Sequence, residues 1–99
     1  MTRRFVVATD PLTPEQEKKF QESISNAGWW HWLPNFWLFK DYRDEHTTDS
    51  IRDILFKMDS TKRCIVLQVD RTTWSAVTKK DEKGRDMVQW IKDIWQVEP

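Results

Sequence analysis

Apolar and polar positions along the chain change their period several times, and each change marks an element. Arg4 to Thr9 (Arg-Phe-Val-Val-Ala-Thr) is short, apolar and β-branched, which predicts a central strand closed by Asp10 and Pro11. Apolar residues then fall at helical spacing at Phe20, Ile24 and Ala27. Thr13 fits the N-cap of that helix, Pro14 its first position, and Gln16 the return arm of a capping box. Glu15 and Glu17 sit where the helix dipole favours negative charge, and Gly28 is the predicted stop.

Residues 29–40 read Trp-Trp-His-Trp-Leu-Pro-Asn-Phe-Trp-Leu-Phe-Lys. Pro34-Asn35 divides this run, because proline cannot donate to a strand ladder. Two strands are predicted, Trp29–Leu33 and Phe36–Asp41, joined by a tight hairpin. Asp41 to Thr48 is a polar loop, and Thr47 or Thr48 caps a second helix with Ile51, Ile54, Leu55 and Met58 at helical spacing. Asp59-Ser60-Thr61 ends it. Lys62 to Asp70 bunches Ile65, Val66, Leu67 and Val69, the pattern of a strand buried on both faces.

The order β-α-β-β-α-β is complete by residue 70. It predicts an α+β fold, a ferredoxin-like βαββαβ sandwich with a C-terminal extra strand and helix. The whole chain, 1–99, is one domain, with a core at about 4–70 and an extension at 71–99. The extension holds a short strand candidate (Thr73–Thr78), a charged turn (Lys79 to Gly84) and a third helix carrying Met87, Trp90, Ile91, Ile94 and Trp95 on one broad face. Right-handed crossovers put the first two helices on one face of the sheet. Alternation sets Trp29, His31 and Leu33 against Trp30 and Trp32, and Phe36, Leu38 and Lys40 against Trp37, Phe39 and Asp41.

Composition sharpens the question of the second sheet face. Seven of the 99 residues are Trp, and each aromatic ring buries roughly 150–250 Å². That face is therefore packed against a second copy, covered by the third helix, or used as a stacking platform for nucleic-acid bases. Trp30, Trp32 and Trp37 are the candidate rings of such a platform. Arg3, Arg4, Lys62 and Arg63 are its candidate flanking cations. The 16 basic and 16 acidic side chains cancel, which argues against strong non-specific binding to DNA. One cysteine, Cys64, excludes an internal disulfide framework and reads as a structural thiol. Mean hydropathy is −0.76, too low for a membrane span, and no secretory signal is expected, so a cytoplasmic location is. His31 reads as a packed residue and His46 as a solvated one, with a metal site at Asp44, Glu45 and His46 as the sharper alternative. Asp10 is the best single candidate for chemistry. As a turn residue it closes the first strand. As a ligand, two copies across a two-fold axis could hold one Mg²⁺.

A family resemblance is carried by Gly28-Trp29-Trp30-His31-Trp32-Leu33, Phe36-Trp37-Leu38, Ile51-Arg52-Asp53 and Met58-Asp59-Ser60. These runs resemble the small SinR-family proteins of prokaryotes and phages, a group similar in turn to the CRISPR-associated Cas-two proteins and the VapD toxins. The resemblance covers roughly residues 4–95 and implies a ferredoxin-like homodimer. It also implies a divalent-metal role for Asp10 in phosphodiester cleavage, or an adaptor role holding DNA. Thr9 stands where those relatives usually carry Tyr, and Pro11 follows Asp10 directly. The expected function is a dimeric binding module, for nucleic-acid handling or protein interaction. The alternatives are a metal-dependent nuclease using Asp10, and a phage-type counter-defence protein that binds a host factor or a nucleotide.

Overall fold

The computed structural model describes residues 2–24, 27–70, 75, 86–95 and 97, the side chains of Trp32 and Met87 excepted. In chain order the elements are β1 (Arg3–Thr9), α1 (Pro14–Ser23), β2 (Gly28–Leu33), β3 (Phe36–Asp41), α2 (Thr48–Met58), β4 (Cys64–Val69) and α3 (Met87–Trp90), which runs on into a π-turn at Ile91–Trp95. The four strands form one sheet in the order β2-β3-β1-β4, and every neighbouring pair is antiparallel. This small α+β arrangement is compatible with a ferredoxin-like fold. The predicted strand at Thr73–Thr78 and the turn at Lys79–Gly84 lie outside the described residues, apart from residue 75.

Local sequence signals set the helix starts. The Thr13 hydroxyl accepts from the Gln16 N–H at 3.1 Å, and the Gln16 side chain accepts from the Thr13 N–H at 2.9 Å. Thr47 and Ser50 repeat this reciprocal pair at α2, so Thr47 rather than Thr48 is the cap. The chain turns between β2 and β3 at Asn35, whose φ of 62° lies in the left-handed region that asparagine tolerates.

α1 stops at Ser23 with Ile24 as its cap, earlier than the predicted end at Gly28. Gly28 instead opens β2 opposite Lys40. A Cβ there would sit 3.2 Å from the Tyr42 hydroxyl, so glycine serves close packing rather than helix termination.

The sheet separates two apolar clusters. On the helix face Phe5 and Val7 of β1 and Trp37 and Phe39 of β3 pack with Phe20 and Ile24 from the α1 end and Ile51 and Leu55 of α2. Trp37 is fully buried at the centre of this cluster. Its ring meets Phe20 edge-on at 5.0 Å and stacks on His31 at 3.7 Å. On the opposite face Trp30 clusters with Ile91 and Trp95, flanked by Phe36, Leu38, Val69 and Trp90. The third helix therefore covers part of the second sheet face.

Two further expectations change. The register slips between Trp30 and Leu33, so Leu33 pairs with Phe36 and leaves the side that strict alternation shared with Trp29 and His31. Among the described residues β4 is an edge strand, and one of its faces is open rather than buried. It pairs with β1 alone among the described residues, and Ile65 and Leu67 are 58% and 48% exposed. A run of β-branched and apolar residues looks the same in either position, because sequence does not reveal which neighbour is missing.

Candidate functional site

Asp10 ends β1 beside Arg63, which precedes β4. The Arg63 N–H donates to Asp10 Oδ2 at 2.7 Å, and the Asp10 N–H donates to the Arg63 carbonyl at 2.9 Å. The guanidinium adds Nη2 to Oδ1 at 2.9 Å and Nε to Oδ2 at 3.0 Å. Both carboxylate oxygens thus accept charge-assisted bonds. The side-chain and main-chain bonds from Arg63 hold the Asp10 carboxyl down at about 2, against an ordinary 3.8. A carboxyl depressed in this way adds stability above pH 3.8, and that stability is lost as pH falls towards 2. As arranged, the pair ties the end of β1 to the start of β4, and Arg63 engages both oxygens of the carboxylate. Arg63→Ala, which removes the guanidinium and keeps the main-chain N–H, is expected to move the Asp10 pKa part of the way back towards 3.8, read from the carboxyl carbon shift in an NMR titration. An unmoved pKa would show that the Arg63 side chain is not its cause.

The predicted binding residues do not assemble into one surface. Trp37 is buried on the helix face and Trp30 on the opposite face, so the two rings share no platform. The Trp32 side chain lies outside the described residues. Arg3 is drawn to Asp44 at 2.6 Å and to the His46 carbonyl at 3.1 Å. Lys62 donates to the Pro11 carbonyl at 2.6 Å. Arg63 is solvent-facing but engaged by Asp10. Aromatic burial explains the scatter: in a 99-residue chain the large rings are needed to build both clusters.

Arg4 behaves differently from the other cations. It is 5% exposed and lies on the face opposite α1 and α2, across from Lys40, which is 2% exposed. Arg4 donates Nε to the Trp95 carbonyl at 2.7 Å and Nη2 to the Val97 carbonyl at 3.0 Å. Lys40 Nζ donates to the carbonyls of Ile94 and Val97, the latter at 2.6 Å, and sits 5.3 Å from the Tyr42 ring centre. Two buried cations thus hold the end of the C-terminal helical segment. Lys40 was not singled out from sequence. The signal was there: alternation places it beside Leu38 on the face that Trp30 shares, where a charged side chain must find acceptors once covered.

His31 is packed as expected. Nδ1 lies 2.9 Å from the Phe36 carbonyl and Nε2 3.5 Å from a Glu17 carboxylate oxygen. His46 is half-buried rather than solvated. Its ring meets Phe39 edge-on at 5.2 Å, and its N–H donates to the buried Asp41 carboxylate at 2.9 Å. Among the described residues, no group of three His, Cys, Asp or Glu side chains is placed to hold a metal, the Asp44–His46 loop included. Cys64 is half-buried against the main core, and burial pushes its thiol pKa up, away from the reactive thiolate.

What remains open is a strip along β4. Ile65 pairs with Ala8 and Leu67 with Val6, all on the face opposite the helices. At its end lies a shallow depression of about 340 Å³ lined by Ala8, Thr9, Asp10, Arg63, Cys64 and Ile65. No helix among the described residues is long and apolar enough to cross a membrane. The chain matches no family model, no curated protein and no solved structure.

Proposed function

We propose that this chain is a ferredoxin-like binding module, akin to the SinR and Cas-two group in its aromatic hairpin, that works as a homodimer and serves as a protein-interaction adaptor. The β4 edge, which no other strand among the described residues pairs, carries the reading. Its six residues, Cys64–Val69, include no charged side chain, and Ile65 and Leu67 face solvent. Proteins ordinarily blunt such an edge with Lys, Pro or a bulge, since unpaired N–H and C=O groups beside apolar side chains recruit another strand.

A second copy is the partner that this edge suits. Two antiparallel β4 strands related by a two-fold axis normal to the sheet keep every residue on its own face. Centring the pair on Val66 sets Ile65 opposite Leu67 of the partner subunit, and Lys62 opposite Asp70 of the partner subunit. The apolar pairs and the charge pairs are then satisfied together. Light scattering is expected to give twice the chain mass of 12.0 kDa, and Leu67→Lys is expected to give the single mass with the fold retained. A wild-type protein that scatters as one chain at all concentrations removes this reading. Mg²⁺- or Mn²⁺-dependent cleavage of nucleic acid that disappears in Asp10→Ala would replace it with the nuclease.

A further inference from the structure

We infer that the C-terminal residues 86–95 and 97 occupy, from within the chain, a site for single-stranded nucleic acid on the sheet face opposite α1 and α2. This inference does not rest on β4 pairing, which uses the outer edge of β4 rather than the face of the sheet.

The face beneath the segment carries two aromatic rings, Trp30 and Phe36, set edge-to-face at 6.3 Å, with Leu38 in the same cluster and the two cations Arg4 and Lys40 on the same face. Aromatic rings interleaved with cations are what a single strand requires: bases stack on the rings and phosphates bond the cations. The segment offers the same two chemistries. Trp95 supplies a flat ring to the Trp30 cluster. The carbonyl oxygens of Ile94, Trp95 and Val97 supply acceptors to Arg4 and Lys40. These carbonyls lie at the negative end of the helical turn, so the segment presents partial negative charge where a phosphate would present a full one. Arg4 and Lys40 would make stronger, charge-assisted bonds to phosphate than to neutral carbonyls.

The segment is also built to come away. Its helical part, 87–95, is four α-helical residues and a five-residue π-turn, too short to persist once detached. Among the described residues its buried side chains are Ile91 and Trp95. The main core of Phe5, Val7, Phe20, Ile24, Trp37, Phe39, Ile51 and Leu55 lies on the other side of the sheet and, among the described residues, includes nothing from it. Release would therefore expose the cationic, aromatic face without dissolving the domain.

The test uses the full chain. Binding of fluorescein-labelled oligothymidylate and oligouridylate is followed by anisotropy for the wild type, for Trp95→Ala and for Trp95→Ala combined with Arg4→Gln. Hydrogen exchange reports on residues 86–95 and on the sheet in the same samples. Trp95→Ala is expected to expose the 86–95 amides, leave the sheet protected, and bind at least one oligonucleotide ten or more times tighter than wild type. That gain is expected to fall with added salt and to vanish with Arg4→Gln. If Trp95→Ala does not fold, Ile91→Ala, which removes less, gives the same readings. A released segment over a protected sheet with no gain for either oligonucleotide overturns the inference, and so does a gain that survives Arg4→Gln.

Discussion

Trp37→Ala is expected to lower the free energy of unfolding by about 3–5 kcal/mol, the range for deleting a buried aromatic ring. Domains of this size hold roughly 5–15 kcal/mol in all, so the variant sits close to its unfolding threshold. The site cannot readily collapse around the hole. Trp37 is fully buried, bounded by Phe20, Trp29 and His31, and belongs to β3, one of the two inner strands. Loss of the ring also removes the surface on which His31 stacks. Urea unfolding followed by circular dichroism checks the figure, and a loss below about 1 kcal/mol would contradict the packing described. Trp37→Phe is expected to cost less than the alanine change. It keeps a ring in place and removes an indole N–H that is buried without an acceptor among the described residues.

A similar side-chain deletion on the other face is expected to behave in another way. Trp95→Ala removes a ring that is 3% exposed, so the local loss again falls at about 3–5 kcal/mol. The loss falls on the attachment of residues 86–97 rather than on the whole domain. A deficit of about 3 kcal/mol raises the open population of the segment by more than a hundredfold. Amide exchange in 86–95 is therefore expected to accelerate by at least that factor, while amides of β1, β3 and α2 keep their wild-type protection. Uniform acceleration across the chain would show that the two clusters form one cooperative unit. It would also remove the basis for a releasable segment.

The two variants differ because the sheet divides the apolar side chains into two separate sets, and that division was only partly legible in the sequence. The alternation of β3 was clear: Trp37, Phe39 and Asp41 do face the helices, and Phe36, Leu38 and Lys40 the other way. The alternation of β2 was not. A one-residue register slip costs little locally and is set by how β2 fits β3, so Leu33 moved to the face of Phe36. The Asp10–Arg63 clamp was equally hidden. Fifty-three residues separate the two side chains, and no local pattern announces that β1 and β4 end side by side. Asp10 stood out in the chain as an acidic residue closing a strand; its partner fixes the bonds it makes.

Sequence alone determined the local decisions. Thr13 and Thr47 each carry a hydroxyl that completes a capping box, Pro34-Asn35 admits a tight turn, and the strands and helices follow from apolar spacing. These depend on neighbours within a few residues, where chain entropy is small and propensity dominates. Tertiary structure decided the rest: which strand lies at the edge, which cations are buried, and what lies over Trp30. Burial and hydrogen-bond satisfaction are properties of segments far apart in the chain. The same lysine is a solvated charge or a buried latch according to whether residues 86–97 lie across it.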